Sequence, residues 1–555
     1  MNQREIFSKR TFALLAIIGI ALNATCFFSE VLEPDGALYA TIAKHIANTN
    51  DWINLWGNGT DWLDKPHLPF WLTAVSFKIF GISAFSYKLP SFLCWLSGVL
   101  FCYKLAAKIY SVPVAQLATL IYITALHVIL SNADVRAEGY LTAFILAATY
   151  YMYNAYVRNK FSDIVLTALF CAFSIMTKGI FTIVTIASGF IIYWIKNKEW
   201  HEFVKLKWYL LALLTFIFIL PELYSLYTQF DLHPEKIVFG KTNVSGIRFF
   251  FWDSQFGRFV NNAPIKGSGD IFFFLHTTLW AFLPWSIILL TTLIISFKKI
   301  IRPSKNNYHL IIGSSALVTF LMFSFSRFQL PHYIVIIFPH IGMIVSYWMI
   351  EDASEKALKR LNIAQLILYV LFITIVVVII EISAFSNIYV WLLFAVIVSL
   401  FAFSSSKQIL LSITKKNIGF ALLLAFFLNC IFYPSLLKYQ AGMMAGKWMN
   451  ENYEGKEATM FRCNSYTFEF YCKGNIARVD STNILLNRSS QKDTLFVYTP
   501  LKELGSIQES ELNEQVSVLK TFPNFHVSQV KYSFLNNETR ENVLDTCTIV
   551  MLTKK

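Results

Sequence analysis

The chain has 555 residues, 56% of them hydrophobic, and a formal net charge of +13. Its mean hydropathy of +0.52 excludes an ordinary soluble globular protein, whose apolar share is about 45–50%. The positive balance collects in short loops between apolar runs, so it is explained by membrane topology and calls for no nucleic acid.

A bilayer-crossing helix needs about 20 mostly apolar residues. In chain order such runs are predicted at 11–28, 86–110, 114–130 and 140–157, then at 164–195, which is long enough for two short spans broken near Lys178-Gly179. Others follow at 209–227, 271–297, 310–325, 333–350, 361–382, 388–403 and 418–433, about thirteen helices in all. The first run lacks a small-residue cleavage site and reads as a retained helix, not a removed signal. Beyond Tyr433 the chain turns polar. A helix at 441–450 and strands at 494–498 and 548–552 make residues 437–555 a soluble α/β domain, behind a membrane domain of residues 1–436.

Lys and Arg concentrate in alternate loops. With Arg4, Lys9 and Arg10 in the cytoplasm, the loops bearing Lys104/Lys108, Arg158/Lys160, Lys196/Lys198/Lys205/Lys207, Lys298/Lys299/Arg302/Lys305, Lys356/Lys359/Arg360 and Lys407/Lys415/Lys416 share its side. The segments 29–88 and 228–270 and the C-terminal domain then lie outside. The second of these segments carries Phe249-Phe250-Phe251-Trp252 and reads as an amphipathic piece along the membrane surface. None of the eight cysteines forms a paired metal-ligand pattern; Cys463 and Cys472 fit a bridge or two free thiols. His67, His276 and His332 lack helical i, i+4 pairing, which argues against a dedicated zinc site.

Under this topology Asp35, Asp64, Lys65, Arg136, Glu138, Lys178, Asp253, Arg258 and Arg327 all map to outer helix ends or outer loops. Carboxylates mixed with cations at headgroup level suit a substrate with an anionic group: the cations neutralise a phosphate, and a carboxylate orients or deprotonates an acceptor. Each residue also has a plainer role. Asp35 suits a helix N-cap, Asp64-Lys65 a surface ion pair, and Arg136 and Glu138 anchors of helix ends. Lys178, Arg258 and Arg327 suit snorkelling to lipid phosphates.

At these residues the chain resembles the lipid-phosphate-sugar-dependent integral-membrane glycosyltransferases of the GT-C fold, the group of the 4-amino-4-deoxy-L-arabinose lipid A transferase and the protein O-mannosyltransferases. The matching pieces are Asp35-Gly36-Ala37-Leu38-Tyr39, Asp51-Trp52, Asp64-Lys65-Pro66-His67-Leu68-Pro69-Phe70-Trp71-Leu72, Phe80-Gly81, Lys88-Leu89-Pro90-Ser91, Thr177-Lys178-Gly179, Leu283-Pro284-Trp285-Ser286 and Phe323-Ser324-Phe325-Ser326-Arg327 to Leu330-Pro331-His332-Tyr333. Their order is more specific than any one of them. The chain departs from the pattern at Gly36 and Leu38, where the family often has Glu and Arg, and at Gln329, where it has Lys. Glu138 stands for the family's Asp, and Asp253 for a His.

The resemblance implies an all-α polytopic membrane domain with a C-terminal soluble α/β domain, in the cytoplasmic membrane of a bacterium. It implies transfer of a sugar from a polyprenyl-phosphate donor to an acceptor on the outer face, whether lipid A, a glycan or a protein. Asp35 and Glu138 are the expected catalytic residues. Lys65, Arg258 and Arg327 are expected at the donor phosphate, with Tyr39, Asp64, Arg136, Lys178, Asp253 and Tyr333 as further substrate-binding residues. No cofactor is assigned, and a divalent cation is left open. The rival readings are a lipid-linked sugar flippase and a non-catalytic assembly protein. The chain lacks the visible internal repeat usual in transporters.

Overall fold

The computed structural model describes residues 7–262, 264–300, 308–385, 391, 406, 408–509 and 516–553. Most of the predicted run at 388–403 and the cations Arg4, Arg302, Lys305 and Lys407 lie outside the described residues. Helix α1 (Lys9–Ala24) leads into the first outer segment. That segment is more ordered than its polarity suggests: it holds α2 (Asp35–Thr49), a hairpin of β1 (Trp56–Gly57) and β2 (Thr60–Asp61), and α3 (Leu68–Phe80). The charged Asp64-Lys65 entrance hides the apolar run that makes α3 a helix, with Pro69 seated in its first turn, where a missing N–H costs nothing.

Next come α4 (Ala84–Ile109), α5 (Val112–Thr124), α6 (Leu126–Ala133), α7 (Ala137–Arg158), α8 (Phe161–Lys178), α9 (Thr182–Lys196), α10 (Leu206–Phe218) and α11 (Leu220–Leu226). Helix α7 packs against both α4 and α8, and most of its side chains are buried. The run at 164–195 divides as expected, between α8 and α9, at Gly179 (φ +115°). A Cβ there would fall 2.2 Å from Gln255 Nε2, so both the backbone angle and the close approach require glycine.

Among the described residues, six helices are long and apolar enough to cross a membrane: Lys9–Phe28, Ala84–Ile109, Phe161–Lys178, Pro331–Asp352, Glu355–Ser383 and Ile409–Tyr439. Two bent pairs, α5 with α6 (52°) and α10 with the helix from Leu220 to Asp231 (41°), bring the number to eight if each counts as one span. The expected thirteen is not confirmed by this count, which covers the described residues only. Predicted runs such as Thr182–Lys196 and His309–Phe325 are shorter apolar helices, Leu68–Phe80 is one that the sequence did not mark, and the run at 271–297 splits into Phe273–Ala281 and Ser286–Ile300 around Pro284. Proline cannot donate the helical hydrogen bond.

The last described segment folds on a five-stranded sheet in the order β4 (Ile476–Val479), β3 (Ala458–Phe461), β5 (Thr494–Pro500), β7 (Asp545–Thr553), β6 (Val516–Asn524). Strand β3 runs parallel to β4 and β5, whereas β7 is antiparallel to β5 and β6. This sheet domain sits directly on the first outer segment. Glu33 Oε1 accepts hydrogen bonds from Ser465 Oγ (2.8 Å) and from the N–H and Oγ1 of Thr467 (2.7 Å each). Lys44 Nζ donates to the carbonyls of Glu469 (2.7 Å), Phe470 (3.1 Å) and Cys472 (2.6 Å). Burial pushes the Lys44 ammonium down to about 8. All eight cysteines are free thiols, Cys463 and Cys472 included.

Candidate active site

Three charged clusters sit where helix ends meet. The first joins α2 to the start of α7. Asp35 opens α2 but makes no capping bond; its Oδ2 instead accepts from Arg136 Nη1 at 2.5 Å. Arg136 is clasped from the other side by Asp134 Oδ2, at 2.6 Å from Nη2 and 2.9 Å from Nε. Burial opposes the Arg136 charge, but Asp134 and Asp35 together hold its pKa above the usual guanidinium value. Asp134 is a residue the sequence did not single out. Its signal is the spacing: residues 134 and 136 are two apart with extended backbone, which turns both side chains to one side. A Cβ on Gly36 would lie 2.8 Å from Asp134 Oδ1, so the departure from the family motif at position 36 makes room for this carboxylate.

The second cluster joins the turn before α3 to the second outer segment. Asp64 bonds Lys65 Nζ at 2.7 Å through one oxygen and Arg258 Nη2 through the other. Burial works to raise the Asp64 pKa, but Lys65 and Arg258 overcome it and hold the carboxyl at about 2. The third cluster lies at the α7–α8 corner. Glu138, only 1% exposed, pairs with Lys178, and its second oxygen lies 4.0 Å from His332 Nε2. Lys178 Nζ also sits 3.7 Å from the centre of the Tyr333 ring, a cation–π contact. Tyr39 lines the smaller cavity with Lys65 and Arg136, and its burial, with the charges of Asp35 and Asp64, raises the pKa of its phenol well above the ordinary value.

A cavity of about 740 Å³ opens on the second and third clusters. Lys65, Lys178, Arg258 and Tyr333 line it, and its walls are mainly apolar, with Ile180, Val184, Phe250, Trp252, Phe256 and Phe323. A water-sized cavity of about 30 Å³ lies beside it, lined by Tyr39, Thr73, Tyr87, Arg136 and Tyr140, and Lys65 borders both. Of the expected site residues, Asp35, Glu138, Asp253 and Arg327 line neither cavity; Asp35 and Glu138 are joined to them through Arg136 and Lys178, whereas Asp253 and Arg327 belong to none of the three clusters. Asp253 does not line either cavity; its Oδ2 is 3.8 Å from Arg248 Nε on the outer side of the same helical stretch. Arg327 is exposed and also absent from both linings; its backbone N–H donates to Phe259 O. Among the described residues, no three His, Cys, Asp or Glu side chains group as a metal site.

Residues 64–224 match the family model described as dolichyl-phosphate-mannose-protein mannosyltransferase. The undecaprenyl phosphate-α-4-amino-4-deoxy-L-arabinose arabinosyl transferase of Edwardsiella ictaluri is 24% identical over 341 residues, 60% of this chain and 58% of that protein. The second such transferase of Proteus mirabilis is 24% identical over 369 residues, 65% of this chain and 63% of its own length. The chain thus spans about three fifths of the curated relatives it matches. The crystal structure of ArnT from Cupriavidus metallidurans bound to undecaprenyl phosphate superposes with a TM-score of 0.71 at 15% identity, covering 97% of both chains; the apo form gives 0.70. Over nearly its whole length the chain shares the fold of that ArnT structure, and over about three fifths of it the sequence is similar to the arabinosyl transferases.

Proposed function

We propose that the chain is a membrane glycosyltransferase that moves a sugar from a polyprenyl-phosphate donor to an acceptor on the outer face of the cytoplasmic membrane, with lipid A as the leading acceptor class. The observation that carries this reading is the joining of opposites at Lys65: a cation pair, Lys65 and Arg258, shared by one carboxylate, lines a cavity whose walls are otherwise mainly apolar. The apolar walls suit an isoprenoid chain, and the cations suit its phosphate. The relatives named for undecaprenyl phosphate and the fold shared with a structure that binds it support the donor class.

In the reaction the bond between the sugar's anomeric carbon and the phosphate oxygen breaks. The electron pair leaves on the phosphate, converting a phosphodiester monoanion to a monoester that gains negative charge. Lys65 and Arg258 stabilise that developing charge in a water-poor site, where charge-assisted hydrogen bonds are strong. The new bond forms from the acceptor oxygen. If that oxygen is a hydroxyl, its proton passes to Asp35, which Arg136 orients; if it belongs to a lipid A phosphate, orientation suffices. Glu138, held by Lys178, positions the acceptor. Mass spectrometry of lipid A, surface glycans and glycoproteins from cells with and without the chain tests the proposal. A sugar-sized increment on one class supports it, and identical spectra in all three contradict it.

A further inference from the structure

Glu222 is a fully buried carboxylate in the wall of the large cavity, 155 residues from its partner His67, which is 1% exposed. The two meet at two points. His67 N–H donates to Glu222 Oε2 at 3.0 Å, and the imidazole Nδ1 lies 3.0 Å from Oε1. The other ring nitrogen, Nε2, is 3.0 Å from the carbonyl of Ile53. A carbonyl can only accept, so Nε2 carries a hydrogen. Nδ1 and Oε1 therefore share one further proton, and the buried pair is neutral overall whichever atom holds it. Such a pair is held by geometry, because removing either partner leaves an uncompensated polar group in the interior.

Its position gives it a consequence for the site. Between His67 and Lys65 lies only Pro66, whose ring fixes one backbone angle, so an anchor at His67 is transmitted to Lys65. The opposite side of the cavity starts from the same support: Gly246, at the head of the stretch that ends in Arg258, packs against the carbonyl of Leu226 in α11, the helix that carries Glu222. Two more ties hold the same elements in register. Gln229 exchanges hydrogen bonds with the backbone of Leu55 (3.0 and 2.8 Å), and Lys236 pairs with Asp61 at 2.8 Å.

We infer that His67 and Glu222 are positioning residues for the donor phosphate, a clasp between the first outer segment and α11 that sets Lys65 opposite Arg258. The inference rests on the reading of the cavity as the polyprenyl-phosphate site. Neither residue touches the phosphate. Displacing a positioned group by about 1 Å costs up to about 100-fold in rate, so loss of the clasp should weaken donor use by roughly 10-fold or more and leave acceptor use unchanged.

The test measures binding of polyprenyl phosphate to the full chain in lipid nanodiscs, and donor and acceptor KM and kcat, for the wild type, Glu222→Gln, Glu222→Ala and His67→Gln. Glu222→Gln keeps the shape: its carbonyl oxygen accepts from His67 N–H and its NH2 donates to a neutral Nδ1, so affinity should stay within about threefold of wild type. Glu222→Ala, or His67→Gln if the alanine variant does not fold, should raise the donor KM and the Kd for polyprenyl phosphate together, with the acceptor KM unmoved. A variant that melts earlier yet keeps the wild-type Kd and donor KM would overturn the inference and leave the clasp a purely structural contact. Wild-type chain that fails to bind polyprenyl phosphate would overturn the reading of the cavity itself, and the clasp's role with it.

Discussion

Replacing Asp64 by Asn removes the one carboxylate shared by the two cations at the cavity. Its carboxyl is held at about 2 against an ordinary 3.8, and at 1.36 kcal/mol per pH unit that difference corresponds to roughly 2 kcal/mol. The side chain is 13% exposed, so solvent screening takes little from this figure. The folded value lies below the unfolded one. The stabilisation is therefore fully present above the ordinary carboxylate range, including neutral pH, and is lost as pH falls through the folded value. The Asn variant should accordingly lose roughly 2 kcal/mol at pH 7. It also leaves Lys65 and Arg258 with no anion, so polyprenyl phosphate should bind the variant more tightly than wild type; ligand at 100 times its Kd returns about 2.7 kcal/mol to any protein that binds it. Thermal melting of the purified chain in detergent, with and without polyprenyl phosphate, reads both effects. The reasoning is refuted if the variant melts with the wild type at pH 7, or if ligand raises the two melting temperatures equally.

Asp35→Asn should abolish transfer to a hydroxyl acceptor, by about 10²–10⁴ in rate, while donor binding and melting stay near wild type; undiminished turnover would leave Asp35 no role beyond its Arg136 pair. Lys65→Ala and Arg258→Ala should each cost about 1.5–3 kcal/mol in donor affinity, read as a rise in donor KM, and Lys65→Arg should rescue only in part because a planar fork does not replace a compact ammonium. An effect confined to acceptor KM would remove that residue from the phosphate. Tags inserted after Arg302 and after Lys359 should report the cytoplasm and a tag at Lys555 the exterior, as the Lys and Arg asymmetry requires; a cytoplasmic C-terminus would take the sheet domain and the charged clusters off the outer face.

What the sequence disclosed, and what it did not, follows from how local each signal is. Asp64, Lys65 and the break at Gly179 were visible because each is marked by its immediate neighbours, and the strands at Thr494–Pro500 and Asp545–Thr553 because their apolar runs are short and bounded. Asp134 was overlooked because its meaning depends on two extended residues between α6 and α7. The His67–Glu222 clasp joins residues 155 apart, and a buried histidine has no sequence signature. The number of spans is legible only coarsely, because a hydropathy run shows neither a bend nor a helix end: α5 and α6 form one apolar stretch that turns by 52°, and the run at 271–297 divides around Pro284. Asp253 and Arg327 have suitable chemistry, but Asp253 lies beside Arg248 and Arg327 is exposed, and neither lines a cavity.

The most direct test of the central claim is reconstitution of the purified chain with a radiolabelled polyprenyl-phosphate sugar and lipid A in proteoliposomes. The account predicts that label appears on the acceptor as an equal amount of polyprenyl phosphate is released, and that Asp35→Asn abolishes this transfer if the acceptor oxygen is a hydroxyl. Label that stays on the polyprenyl carrier, crossing the bilayer with the sugar–phosphate bond intact, would contradict it and make the chain a transporter of the donor.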